Sequence, residues 1–187
     1  MLREEFKVKG MICSRCLKVL TMELRSTGAE ILEIQLGRIV IQYDPNVVKK
    51  NRIIDSICEN EFEIISDSKV ILSEETKRWI IHYVWHTFHE DKLSDFLSKK
   101  QCKSYNTISK NFKNIFGKSI ERFHVLLKVE RVKELIGEGE LTFSEMAYSV
   151  GYQSPSALAK QFKVETGMTL KEFKELGTGK RIPLDKI

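Results

Sequence analysis

The sequence predicts an α+β module of six elements followed by an all-α module. Three observations carry this. Residues 1–68 switch between the two-residue alternation of strands and the wider spacing of amphipathic helices. Residues beyond 90 repeat themselves at a fixed offset of 50, the mark of a duplicated supersecondary unit. Charge divides the same way: residues 1–68 carry ten Lys and Arg against eleven Asp and Glu, and residues 69–187 carry twenty-one against fifteen. The expected organisation is a first domain at 1–68, a linker at 69–73, a second domain at 74–178 and a basic tail at 179–187.

Phe6 and Val8 alternate as a strand, and Leu17, Leu20 and Leu24 follow at helical spacing. Ile34 and its neighbours Leu32 and Leu36 alternate with Glu33 and Gln35. Gly37–Arg38 interrupts, and Ile39, Ile41 and Tyr43 resume, which reads as a hairpin. Asp44–Pro45–Asn46 turns the chain into a helix with Ile53, Ile54 and Ile57, and 62–65 is a last short strand. The order βαββαβ is the split arrangement of ferredoxin-like domains.

Between the first strand and helix lies Gly10-Met11-Ile12-Cys13-Ser14-Arg15-Cys16. This spacing puts Cys13 on a loop and Cys16 in the first helical turn, where unpaired amides and the positive dipole end favour thiolate. Two soft thiolates suit a soft monovalent ion such as Cu(I), which needs only two ligands. A structural zinc site wants four. Mercury, silver and gold satisfy the same pair, and a redox couple is the competing use of Cys-x-x-Cys. A domain of this shape that no longer binds metal is a third reading.

Residues 4–67 resemble a heavy-metal-associated domain, as found in copper chaperones and copper-pumping ATPases. Gly10-Met11-x-Cys13-x-x-Cys16 stands where that family has its Gly-Met-x-Cys-x-x-Cys loop. The resemblance implies Cu(I) at Cys13 and Cys16, Met11 as an apolar anchor under the loop, and Phe62 beside the metal. Glu61 departs from the glycine many members carry there. Cys58 and Cys102 are expected to pack rather than ligate.

Ser66–Asp67–Ser68–Lys69 is a polar break, and Ser73 followed by Glu74 and Glu75 reads as a helix start. That helix, to about residue 88, places His82, His86 and His89 near one face, where they bind metal, sense pH or only pack.

In the repeat, Lys110-x-Phe112-Lys113-x-x-x-Gly117 matches Lys160-x-Phe162-Lys163-x-x-x-Gly167, and Phe123 matches Phe173. Each copy reads as a helix (92–100; 143–150), a turn and a second helix (104–116; 154–166), a helix-turn-helix. A long helix over 119–136 joins the copies. Thr142-x-x-Glu145 and Thr169-x-x-Glu172 are capping boxes, and Pro155 follows a Ser154 cap. Gly117 and Gly167 close their helices. Gly151 makes the second turn where the first has Gln101–Cys102, so a left-handed backbone there would strain a non-glycine residue.

Residues 76–176 resemble the DNA-binding domain of AraC-type transcription regulators. Phe143-Ser-Glu-Met-Ala147-Tyr-Ser-Val-Gly151-Tyr152, Ala159-Lys160-Gln-Phe162-Lys163 and Thr166-Gly167-Met168-Thr169 follow the family signature, and Glu130-Arg131-Val132-Lys133-Glu134-Leu135 its linker helix. The resemblance implies two reading helices in successive major grooves. Asn106, Ser109, Lys110, Ser156, Ala159 and Lys160 would face bases. Tyr105, Thr107, Lys113, Gln153 and Lys163 would meet phosphates. Phe112, Phe123, Phe162 and Phe173 are core.

The function expected is a Cu(I)- or soft-metal-responsive regulator of copper or heavy-metal homeostasis genes. Copper trafficking or buffering, and thiol-redox regulation through Cys13 and Cys16, are the alternatives. Double-stranded DNA is the partner, with a copper chaperone or RNA polymerase as protein partners, and the protein acts as monomer or homodimer. No enzyme is expected, since no phosphate loop, triad or paired-carboxylate setting is present. No apolar run approaches 18 residues and no signal-type segment opens the chain, which points to the cytoplasm, with reduced thiols and no membrane.

Overall fold

The computed structural model describes residues 1–86, 91–177 and 181–187. The chain divides into two compact units, Met1–Arg78 and Trp79–Ile187.

The first unit runs β1 (Leu2–Lys9), α1 (Ser14–Ser26), β2 (Glu30–Gln35), β3 (Arg38–Tyr43), α2 (Lys50–Glu59) and β4 (Glu63–Ile64). The strands form one sheet in the order β2-β3-β1-β4, with every pairing antiparallel. Register follows the apolar alternation: Phe6 lies opposite Ile39, Glu4 opposite Ile41, and Val8 opposite Ile64. Phe6, Val8, Ile39, Ile41 and Tyr43 bury one sheet face against Leu20 and Leu24 of α1 and Ile53 and Ile57 of α2. A bulge between Ile31 and Glu33 breaks the alternation in β2. Leu32, expected inside, is therefore 43% exposed, while Ile31, Ile34 and Leu36 pack on the core.

The linker expected at 69–73 is helical. The Asp67 carboxylate accepts the backbone N–H groups of Lys69 and Val70 at 2.7 and 3.1 Å, so it, and not Ser73, starts α3 (Ser68–His86). Ser73 is buried inside that helix. Cys58 and Cys102, expected to pack, are both exposed. Cys58 lies on the solvent side of α2, and Cys102 is the residue that ends α4.

The second unit continues with α4 (Leu93–Gln101), α5 (Tyr105–Phe116), α6 (Ile120–Glu138), α7 (Phe143–Ser149), α8 (Pro155–Thr166) and α9 (Leu170–Leu176). Both capping boxes form: Thr142 and Thr169 each accept the backbone N–H three residues on, and Glu145 and Glu172 each accept the N–H of their threonine at 2.7 Å. Ser104 and Ser154 cap α5 and α8 through the N–H groups of Thr107 and Ala157. Val129, Val132 and Ile136 of α6 join Met146, Ala147, Leu158, Phe162 and Phe173 in one apolar cluster. The long helix is thus the spine on which the second helix pair folds.

The described part of the C-terminal tail, 181–187, is held on that spine. Arg181 donates to Glu134 at 3.1 Å, and the Ile182 N–H donates to Glu130 at 2.9 Å. Among the described residues no helix is long and apolar enough to cross a membrane.

Candidate metal loop and nucleic-acid interface

In the first unit the chain leaves β1 through Gly10, whose φ of +90° a side chain would resist. A Cβ there would meet the Phe62 ring at 3.5 Å, so the ring is laid directly against the loop. Met11 is fully buried in the core beneath. Cys13 is the N-cap residue of α1, and Cys16 is its third residue. Their sulphurs face each other at 3.5 Å, and Cys16 Sγ lies 3.8 Å from the Gly10 carbonyl.

Helix-start amides were expected to favour thiolate. At Cys16 burial outweighs them and pushes the thiol above its ordinary value. The neighbouring Cys13 adds to this, while backbone hydrogen bonds from Ile12 and Cys13 oppose it. Glu61 takes φ +64°, the conformation a glycine adopts freely, so the loop that carries Phe62 keeps its turn at a cost in strain. Among the described residues no cluster of three or more His, Cys, Asp or Glu could hold a metal ion. The loop therefore offers two sulphur donors, a set that fits a soft ion of low coordination number and not a closed tetrahedral site.

His82 and His86 lie one turn apart on α3, both exposed, with ring centroids 5.2 Å apart. His82 also stacks on Phe96 and meets the Trp79 ring edge-on. Partial burial, then His86 and Lys100, lower its pKa. His89 lies outside the described residues.

In the second unit α4–α5 and α7–α8 are the two helix pairs. Each second helix buries its apolar side, Ile108 and Phe112 in α5 and Leu158 and Phe162 in α8. That burial turns Asn106, Thr107, Lys110 and Lys113 outward on α5, and Ser156, Ala159, Lys160 and Lys163 outward on α8, with Gln153 exposed just before it. Ser109 is half-buried. Tyr105 is also half-buried, and its hydroxyl donates to Glu121 on α6. Burial and that contact raise the Tyr105 pKa, and the same hydrogen bond lowers that of Glu121 against the opposing effect of burial. Its hydroxyl is thus engaged within the fold.

The turns of the two pairs differ. Cys102 takes φ +50° two residues before the Ser104 cap, and Gly151 takes φ +74° three residues before the Ser154 cap. The first turn, 102–104, is two residues shorter than the second, 150–154, and places the strained conformation on a cysteine.

No periodicity in the sequence marks the contacts that hold α5 and α8 to α6. Arg122 pairs with Glu165 of α8, a carboxylate whose side chain is only 6% exposed. Lys128 donates to the Gly151 carbonyl at 3.1 Å and sits over the Tyr152 ring at 4.7 Å. Burial lowers the Lys128 pKa from 10.5 to about 8. Between those values the unfolded chain holds more protons, so stability rises with pH there. Burial pushes Tyr152 from 10.0 up to about 12, which opposes the rise above pH 10. Urea unfolding at stepped pH should show stability climbing from pH 8 to 10, and Lys128→Met should remove the climb.

Residues 97–175 match the family model described as a helix-turn-helix domain. An uncharacterized HTH-type transcriptional regulator of Staphylococcus aureus strain MSSA476 is 26% identical over 152 residues, which are 81% of this chain and 18% of the relative. The xylose operon regulatory protein of Haemophilus influenzae is 24% identical over 155 residues, 82% of this chain and 38% of the relative. The chain thus spans about a fifth to two fifths of the length of these curated relatives, both named as regulators. Among solved structures, the C-terminal domain of AraT, a response regulator from Geobacillus stearothermophilus, aligns with a TM-score of 0.50 at 20% identity, over 60% of this chain and 88% of that one. The capped second helices of both pairs and their common spine thus lie in the segment, 97–175, that matches the helix-turn-helix model.

Proposed function

We propose that the protein is a sequence-specific DNA-binding transcription regulator of AraC type whose DNA affinity responds to a soft metal ion, Cu(I) foremost, at Cys13 and Cys16. The observation that carries the DNA half is the recurrence of exposed lysines at matching positions of two capped helices, Lys110 and Lys113 on α5, Lys160 and Lys163 on α8. A single surface lysine is ordinarily just solvated. Two pairs at the same helical positions, in a domain of this type, form a repeated phosphate-and-base footprint. Double-stranded DNA is the partner, and copper or heavy-metal homeostasis genes are the targets.

The metal half rests on the paired sulphurs and on the βαββαβ order with the sheet order β2-β3-β1-β4, which supports reading the first unit as a ferredoxin-like heavy-metal-associated domain. The ion acts on DNA affinity only by binding two states of the chain unequally. The cytoplasm is the compartment this reading requires, since Cu(I) and DNA must both be within reach.

The test is a titration of the full chain against its own upstream region, with and without one equivalent of Cu(I). A Cu(I)-dependent change in affinity supports the proposal. Specific binding indifferent to Cu(I) leaves a regulator with another input. The 3.5 Å sulphur separation makes a reversible Cys13–Cys16 disulfide the first input to examine in that event. Cu(I) binding without a specific DNA complex identifies a trafficking or buffering protein. On the same duplex, Lys110→Ala and Lys160→Ala should each cost about 1–3 kcal/mol and relax base preference. Lys113→Ala and Lys163→Ala should each weaken binding to all sequences and lower the salt slope by about one.

A further inference from the structure

The first turn of α6 sends one polar side chain to each reading helix. Glu121 accepts the Tyr105 hydroxyl at the start of α5, and its neighbour Arg122 pairs with Glu165 near the end of α8. Both tethers spring from one anchored point, because Ser119 caps this turn by accepting the Arg122 N–H at 3.2 Å. Each reading helix is also held at a second place by an aromatic pair. Phe112 of α5 lies 5.5 Å from Phe123, and Phe162 of α8 lies 5.5 Å from Phe173.

An apolar contact alone is a pivot, since dispersion and hydrophobic burial are not directional. Tyr105 stands seven residues before Phe112, so its tether acts about 10 Å along the helix from that pivot. Glu165 is three residues beyond Phe162, a lever of about 4.5 Å. Glu165 is held from its own helix too, accepting from Gln161 at 2.9 Å. A pivot and a tether together set the tilt of a rigid helix.

We propose that Glu121 and Arg122 are positioning residues that set the tilt of α5 and α8 relative to each other, and so make the protein selective for the spacing between its two DNA half-sites. The proposal rests on the DNA-reading function given above. Neither residue needs to touch DNA. A duplex with one base pair inserted between half-sites turns one of them by about 35° around the axis, beyond what two fixed helices follow.

The test uses the full chain and a duplex that it enriches from a random pool, together with the same duplex carrying one base pair more or fewer between half-sites. Wild type should lose about 30-fold or more on either change. Glu121→Ala/Arg122→Ala should lose about fivefold or less, and Glu121→Ala/Arg122→Lys should recover part of the discrimination. A DNA-free readout accompanies it: spin labels at Asn114→Cys and Val164→Cys, in a chain whose native cysteines are serine, report the α5–α8 distance. The distribution should broaden in the double alanine variant while circular dichroism stays that of a folded protein. An unchanged distribution, or spacing discrimination equal to wild type, overturns the proposal and leaves DNA reading intact. A broadened distribution in a chain that enriches no duplex overturns the spacing role together with DNA reading itself.

Discussion

Cys13→Ser/Cys16→Ser should lower Cu(I) affinity by roughly three orders of magnitude or more, above 4 kcal/mol. The reason lies in the donor count. Cys13 and Cys16 are the only pair of thiols brought together among the described residues, and no third His, Cys, Asp or Glu stands near enough to share an ion with them. With four ligands the loss of one leaves three. With two, the loss of either leaves a single soft donor, and a hydroxyl is too hard to replace a thiolate on Cu(I). Cys13→Ser alone should therefore act almost as strongly as the double change. Competition against a chromophoric Cu(I) chelator measures this. Retained affinity in the double variant would place the ion elsewhere, and the exposed imidazoles of His82 and His86 would be the first to replace.

Phe162→Ala is the change expected to cost most in stability, about 3–5 kcal/mol. Its side chain is fully buried, edge-on to Phe173, in the cluster that joins α6, α7, α8 and α9. Truncation loses the transfer energy of the ring and leaves a void between elements that capping and the α6 spine keep from collapsing. A loss of that size is a large share of the 5–15 kcal/mol that holds a typical domain together. Urea unfolding followed by circular dichroism should show a lower midpoint, with Phe162→Leu much milder. Phe112→Ala should behave similarly in the first pair, where Phe116 and Phe123 share the burial. A cost below about 1 kcal/mol would mean that the cluster is not the core of the unit.

The elements that were legible in the sequence are those whose causes are local. Strand alternation around Phe6 and Ile39, the boxes at Thr142 and Thr169, and the 50-residue offset each depend on residues close in the chain or on a repeat. What was not legible depends on choices the sequence leaves even. Asp67 and Ser73 are both good cap residues, and only the folded chain shows that Asp67 starts α3. A bulge leaves no mark in composition, so Leu32 reads as a core residue until its strand is paired. The Cys16 thiol departs from what its helix-start position predicts, because helix-end amides can be counted from sequence and burial cannot. Glu61 is the reverse case: a departure from an expected glycine leaves the left-handed turn in place. The partners of Glu121 and Arg122 lie 16 and 43 residues away, and nothing in charge pattern alone joins them.

The β2 bulge also bears on solubility. The sheet of the first unit is open, with β2 and β4 at its margins. An uninterrupted marginal strand is a template on which a second chain can add itself, and crowding raises that hazard. Here β4 is only two residues long, too short to recruit a partner. The longer margin is kinked at Ile31/Glu33 and carries carboxylates at Glu30 and Glu33, one of them drawn to Arg38 at 2.5 Å. A neighbour adding on would lose its register at the kink and meet negative charge on either side. The exposed Leu32 is what this irregularity costs. In exchange the margin of the sheet becomes a poor template for a second strand.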